Sequence, residues 1–222
     1  MIVFDVDGTL IGGESTDWAS FGAAFEEAAG FALDAAFFES IEEVTARAIV
    51  HQALDSLPLH EKEEMERAVC EGFLKRLMQA HESDPLSFTA TEGALDLLLD
   101  LKEKGIPVAI ATGDWRETIS FKLRAAGISI EGIPMMTCSE FYSRADIISG
   151  AVTKAGRSLR EAVYVGDGTW DYRACKKLGI PFVGVGHKKE KLRDAGATHI
   201  LPDLHPAGFW RVAEAIQFTR ST

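Results

Sequence analysis

The feature that most constrains the fold is a repeated alternation. Short apolar runs end abruptly in small polar or acidic residues, and a helical stretch follows. Ile2-Val3-Phe4 runs into Asp5-Val6-Asp7-Gly8-Thr9-Leu10, and Pro107-Val108-Ala109-Ile110-Ala111 runs into Thr112-Gly113-Asp114. Ala162-Val163-Tyr164-Val165 runs into Gly166-Asp167-Gly168, and Met135-Met136 and Phe182-Val183-Gly184-Val185 add two further short strands. Helical periodicity covers 91–104, 115–126, 144–155 and 171–178, and Gly105 and Gly127 close the first two. Strands alternating with helices of this length form parallel βαβ units with right-handed crossovers. The expected fold class is therefore α/β, a Rossmann-like parallel sheet.

One stretch breaks the alternation. After Gly12-Gly13 the chain shows helical periodicity and almost no strand signal until His81, and His81-Glu-Ser-Asp-Pro-Leu86 reads as a second joint. Trp18, Phe21, Phe25 and Ala29 fall on one helical face. Phe37, Ile41, Val44 and Ala48 fall on another, after Asp34 as N-cap, and Met65, Val69, Phe73 and Leu77 form a third stripe after Pro58. The expected organisation is a core domain of residues 1–13 and 85–222 with an all-helical cap domain, 14–84, inserted into it.

A parallel sheet of this kind binds its ligand outside the carboxyl ends of its strands. Asp5 and Asp7, Thr112-Gly113-Asp114, and Gly166-Asp167-Gly168 all sit at such ends. Asp114 or Asp171 taken singly is equally well an N-cap of the next helix. Three carboxylates brought close together repel one another unless a cation sits among them. Oxygen-only ligands favour a hard ion, and Mg²⁺ suits a site that keeps waters and a phosphate oxygen. That set, with a Thr and backbone N–H groups beside it, suits phosphoryl transfer.

The remaining numbers narrow the class. A net charge of −11 argues against general affinity for nucleic acid, which needs a basic surface. No apolar stretch approaches the ~18 residues of a membrane span, and no basic flank precedes the N-terminal apolar run. Cys70, Cys138 and Cys175 lie far apart without CxxC spacing, as free thiols would. The six histidines show no zinc-ligand spacing. A cytoplasmic protein without nucleic-acid or membrane partners is the expectation, with oligomeric state open.

Asp5-Val-Asp-Gly-Thr-Leu10, a hydrophobic strand ending in Thr112, and Gly166-Asp-Gly-Thr-Trp-Asp171 together resemble the signature motifs of the haloacid dehalogenase-like (HAD) phosphatases. The helical insert is similar to the cap of the phosphoglycolate phosphatase-like branch. The resemblance implies that Asp5 is the nucleophile and that Asp7 is the general acid and base. It implies that Thr112, with Gly113, binds the transferred phosphoryl group. Asp167 would bind Mg²⁺ together with Asp5 and the main-chain carbonyl of Asp7, and Asp171 would orient the waters or neighbours of the metal.

The family also requires a cation ahead of the last motif, and Arg144 and Lys154 are the candidates. Ser143-Arg144-Ala145-Asp146 reads as a capped helix start, which puts Arg144 on the active edge. Lys154 lies ten residues further on, ~15 Å down the helix, so Arg144 is favoured. Trp170 is expected to pack or shield the site, and Glu14, Ser15, Thr16 and Asp17 enter the cap beside it. The resulting expectation is an Mg²⁺-dependent phosphatase acting on a small phosphorylated metabolite through an aspartyl-phosphate. The alternatives are a phosphomutase of the same branch, a non-catalytic phosphate-binding protein and, least of all, a dehalogenase.

Overall fold

The structure is a computed structural model and describes residues 1–187 and 189–216. Among the described residues, six parallel strands form one sheet: β1 (Ile2–Phe4), β2 (Val108–Ala111), β3 (Met135–Met136), β4 (Val163–Gly166), β5 (Phe182–Val185) and β6 (Ile200–Leu201), in the order β3-β2-β1-β4-β5-β6. The order reverses beside β1, so the crevice for a ligand opens between β1 and its neighbours. Register then sets the site. Phe4 pairs with Ile110 on one side and Val165 on the other. One step further along, Asp5 is level with Ala111 and Gly166, and Thr112 and Asp167 follow immediately. Three short apolar strands in register thus deliver their polar ends to one edge.

Helices α5 (Ala94–Glu103), α6 (Arg116–Ala125), α7 (Arg144–Lys154), α8 (Thr169–Leu178), α9 (Lys189–Asp194) and α10 (Pro206–Ala215) flank the sheet. The helical expectations for 91–104, 115–126, 144–155 and 171–178 match α5 to α8 to within a few residues at each end, where fraying and capping decide the boundary. β6, α9 and α10 lie beyond the expected elements. They extend the sheet by one edge strand and cover it.

Between β1 and β2 lies the all-helical insert: α1 (Glu14–Ala29), α2 (Ala35–Ser40), α3 (Ala46–Ala53) and α4 (Leu59–Ser83). α1 packs along α4 through Phe21, whose ring meets Phe73 edge-on at 5.7 Å and stacks on Trp115 at 6.0 Å. Edge and offset aromatic pairs of this kind add roughly 0.5–1.5 kcal/mol each beyond their burial. Because Trp115 starts α6, the insert's core runs directly into that of the sheet domain.

Trp18 lies beside Phe21, their rings edge-on at 6.2 Å, although it is 40% exposed. One expectation for the insert needs correction. The stripe Phe37-Ile41-Val44-Ala48 is not one helix: α2 ends at Ser40 and α3 begins at Ala46. Thr45 is extended (φ −126°), and its hydroxyl accepts the Ala48 N–H as an N-cap, which starts a new helix there. The intervening backbone, 41–45, is left free to reach across to the sheet edge. The Asp34 cap is present, its carboxylate accepting the Phe37 N–H at 2.8 Å. Among the described residues no helix is long and apolar enough to cross a membrane, and Cys70, Cys138 and Cys175 are free thiols.

Candidate active site

Asp5 leaves β1 with its N–H donated to Val165 O at 2.9 Å, so its backbone is still held by the sheet while its side chain turns to the edge. The carboxylates of Asp5, Asp167 and Asp171 converge there, each offering an oxygen within 4.8 Å of the others, and all three are buried. Arg144 Nη1 donates to Asp5 Oδ1 at 3.1 Å, and its Nε lies 3.3 Å from Asp171 Oδ1. Asp171 also accepts from the Tyr164 hydroxyl at 3.2 Å and from the Gly168 N–H at 3.2 Å, which fixes its rotamer. The arrangement requires a glycine at position 8. With φ of 77°, Gly8 sits in the left-handed region, and a Cβ there would collide with Asp167 Oδ2.

Burial first, and then the Asp171 charge, pushes the Asp5 carboxyl well above the usual carboxylate range, against the pull of Arg144. Burial alone would lower the Arg144 guanidinium, but Asp171 and Asp5 outweigh it and raise it further. One cation among three buried acids leaves excess negative charge. A divalent ion would relieve that excess, and the donor set is all carboxylate oxygen, the chemistry of a hard metal. The residues therefore fit one.

A second cluster lies on the other side of the sheet edge. Lys122, in the last turn of α6, is completely buried, and its Nζ lies 2.7 Å from Asp7 Oδ1, 2.6 Å from Asp17 Oδ1 and 2.8 Å from Asp114 Oδ2. Asp7 comes from the loop after β1, Asp17 from α1 of the insert and Asp114 from the loop after β2. Burial would lower the Lys122 ammonium, but the three carboxylates outweigh it and hold it well above its ordinary value. Burial raises Asp7, although Lys122 draws it down, and burial lifts Asp17 to about 8 against the same pull. Asp114 also stands just ahead of Trp115, the N-cap of α6, and accepts from the Trp115 N–H at 2.7 Å and the Thr118 hydroxyl at 2.6 Å.

The insert closes over both clusters. The Ala46 N–H donates to Gly113 O at 2.7 Å, Arg144 Nη2 donates to Val44 O at 3.3 Å, and the Arg144 N–H donates to Glu43 Oε2 at 3.1 Å. A side chain at Gly113 would come within 2.6 Å of Arg144 Nη2 and 3.1 Å of Val44 O, so the approach depends on that glycine. Beneath the insert lies a cavity of about 80 Å³, lined among others by Asp5, Asp7, Thr112, Arg144, Asp167 and Trp170. At ~10–15 Å³ per water on this measure, it holds roughly half a dozen water-sized bodies.

Most of the residues singled out in the sequence are therefore together. Asp5, Arg144, Asp167 and Asp171 share one cluster, and Thr112, Gly113 and Trp170 line the same cavity. The Asp7 carboxylate belongs to the second cluster. Lys154 lies in the last turn of α7 and does not line the cavity. The residues that were missed are Lys122, Glu43 and Val44. Lys122 did carry a signal, because it continues the buried stripe of Trp115, Thr118 and Ile119 at helical spacing.

A parallel α/β sheet with a carboxylate centre at its switch point and a helical insert closed over it defines a class of hydrolytic enzyme. The family model described as "Haloacid dehalogenase-like hydrolase" matches residues 2–185, and the chain belongs to that family. Solved structures share the fold over nearly the whole chain. One is β-phosphoglucomutase from Clostridium difficile, with a TM-score of 0.76 and 17% identity, covering 97% of this chain and 96% of that one. CbbY from Rhodobacter sphaeroides, in complex with phosphate, has a TM-score of 0.72 and 21% identity and covers 93% and 97%. A protein described as a predicted phosphoglycolate phosphatase from Haemophilus somnus has a TM-score of 0.68 and 16% identity and covers 96% and 97%. No curated protein matches the sequence.

Proposed function

We propose that this enzyme is an Mg²⁺-dependent phosphomonoesterase that hydrolyses a small phosphorylated metabolite through an aspartyl-phosphate on Asp5, beneath residues 14–84 acting as its cap. The observation that carries this reading is the buried Asp5 carboxylate, 3.1 Å from Arg144 and grouped with Asp167 and Asp171. Asp5 attacks phosphorus and the bond to the leaving oxygen breaks. Asp7 supplies the proton that oxygen needs, then takes one from the water that hydrolyses the acyl phosphate. Burial keeps Asp7 above the usual carboxylate range, so it can hold that proton at a pH where an exposed Asp could not.

Arg144 grips the equatorial phosphoryl oxygens, and Thr112 and the Gly113 backbone hold the same group from the β2 side. Asp5, Asp167 and the main-chain carbonyl of Asp7 would hold Mg²⁺, with the Asp171 carboxylate close enough to join them. The ion would neutralise charge on the transferring group. Cap closure excludes bulk water from the acyl phosphate. The test is phosphate release from p-nitrophenyl phosphate with Mg²⁺, with EDTA, and with Asp5→Asn. Release that survives EDTA and the substitution would refute the assignment.

The fold shared with β-phosphoglucomutase favours a second reading, a phosphomutase that returns the phosphoryl group to its substrate. Conversion of a sugar phosphate to its isomer without net phosphate release would select it.

A further inference from the structure

Resting on the phosphatase reading, we propose that the leaving group of the substrate is short, apolar-bodied and carries no anionic group of its own. Phosphoryl transfer places the phosphate in the cavity against Asp5 and Arg144, so the leaving group must point toward the insert. What the insert presents there is consistent in character. Trp18, Phe21, Val44, Ile49 and Phe73 form an apolar wall, and the charged side chains it adds to the cavity are Glu14 and Asp17, both acids.

Two basic groups of α3 are already engaged. Arg47 Nε lies 3.4 Å from Glu66 Oε2, and His51 Nε2 lies 2.8 Å from the same oxygen. The start of α3, which also lines the cavity, has two of its N–H groups occupied: Ala46 donates to Gly113 O at 2.7 Å and Ala48 to Thr45 Oγ1 at 3.1 Å. Behind Asp17 the Lys122 ammonium is enclosed by its three carboxylates.

A second carboxylate or phosphate on the leaving group would therefore be desolvated against an apolar wall and the Glu14 acid, with no cation among the insert residues that line the cavity to receive it. An uncharged group has no such cost. An ammonium would find aromatic faces and the Glu14 side chain, both of which favour it. The groove beyond the wall continues the same chemistry. Trp18 and Phe21 line both spaces, and the outer one, about 550 Å³, adds Ala32, Leu33 and Phe38 with Glu26 as its charged residue.

The test compares kcat/KM for three esters of similar length, propyl phosphate, O-phosphoethanolamine and 2-phosphoglycolate, with p-nitrophenyl phosphate as reference. The expected result is turnover of the first two at least about tenfold above 2-phosphoglycolate, a difference of ~1.4 kcal/mol or more in transition-state stabilisation. Trp18→Arg, which places a cation on the rim, should raise the ratio of 2-phosphoglycolate to propyl phosphate turnover several-fold. Equal or preferred turnover of 2-phosphoglycolate by the parent enzyme overturns the inference. So does release from p-nitrophenyl phosphate with none from the short esters. No release from any of the four overturns the phosphatase reading itself.

Discussion

Two groups of acids, one holding Asp5 and the other Asp7, are built from the same parts. Each has three carboxylates and one buried cation, the acids of Lys122 coming from three segments and those of Arg144 from two. In one, Lys122 reaches all three acids at 2.6–2.8 Å and lines no part of the cavity. In the other, Arg144 lies 3.1 Å from Asp5 and 3.3 Å from Asp171 and faces the cavity. The compact ammonium balances its acids from outside the cavity and leaves Asp7 on the cavity wall, whereas the planar guanidinium grips two acids and keeps a face toward whatever enters. Both groups are also tied to the insert, the first through Asp17 and the second through Val44 and Glu43. The difference teaches that a count of acids does not identify a metal centre: the shape and reach of the cation among them decides which group can take ligands.

The largest expected effect tests the Arg144 group. Asp5→Asn should lower phosphate release by about three orders of magnitude or more, with an unchanged circular dichroism spectrum, since it removes the attacking carboxylate. Parental rates in that variant would put the nucleophile elsewhere. Lys122→Met should act mainly on stability, lowering unfolding free energy by about 3–5 kcal/mol in a denaturant titration, because it strands buried acids without their cation. If that variant kept its stability and lost only kcat, the contrast between the two groups would fail.

Arg144→Lys should be smaller again. A point charge cannot span Asp5 and Asp171 as the fork does, and a loss of about 10–100-fold in kcat/KM with little change in melting temperature is expected. A further effect is on pH. Asp17, with a folded pKa of about 8 against roughly 3.9 unfolded, contributes stability that is fully present below the unfolded value and is lost as pH rises through 8. Asp17→Asn should therefore flatten the fall in stability between about pH 4 and 8, measured by melting temperature across that range. An unchanged slope would show that Asp17 does not carry it.

Much of this was legible in the chain, for reasons that differ by residue. The strands were readable because apolar runs with acidic ends have few other uses, and the edge that gathers Asp5, Thr112 and Asp167 followed from parallel topology. Arg144 was readable from Ser143, whose hydroxyl does accept the Asp146 N–H at 3.1 Å and starts α7 at the edge. Lys122 was not recognised, because a lysine within a helix ordinarily lies in water, and only its partners from three distant segments make burial tolerable. The 41–45 loop was missed because Phe37, Ile41, Val44 and Ala48 keep helical spacing across a break. Periodicity cannot distinguish one helix from two when the Thr45 cap is the sole interruption.

The bond from the Ala46 N–H to Gly113 O joins backbone to backbone, so its strength is the same whatever side chain stands at 46. An alanine scan of the insert would pass over it entirely. Proline is the one natural residue that removes the donor, and position 46 is the first residue of α3, where proline suits a helix. Ala46→Pro would thus release this fastening while leaving the helix intact. Product release, if gated by it, would quicken without any change in the chemistry below.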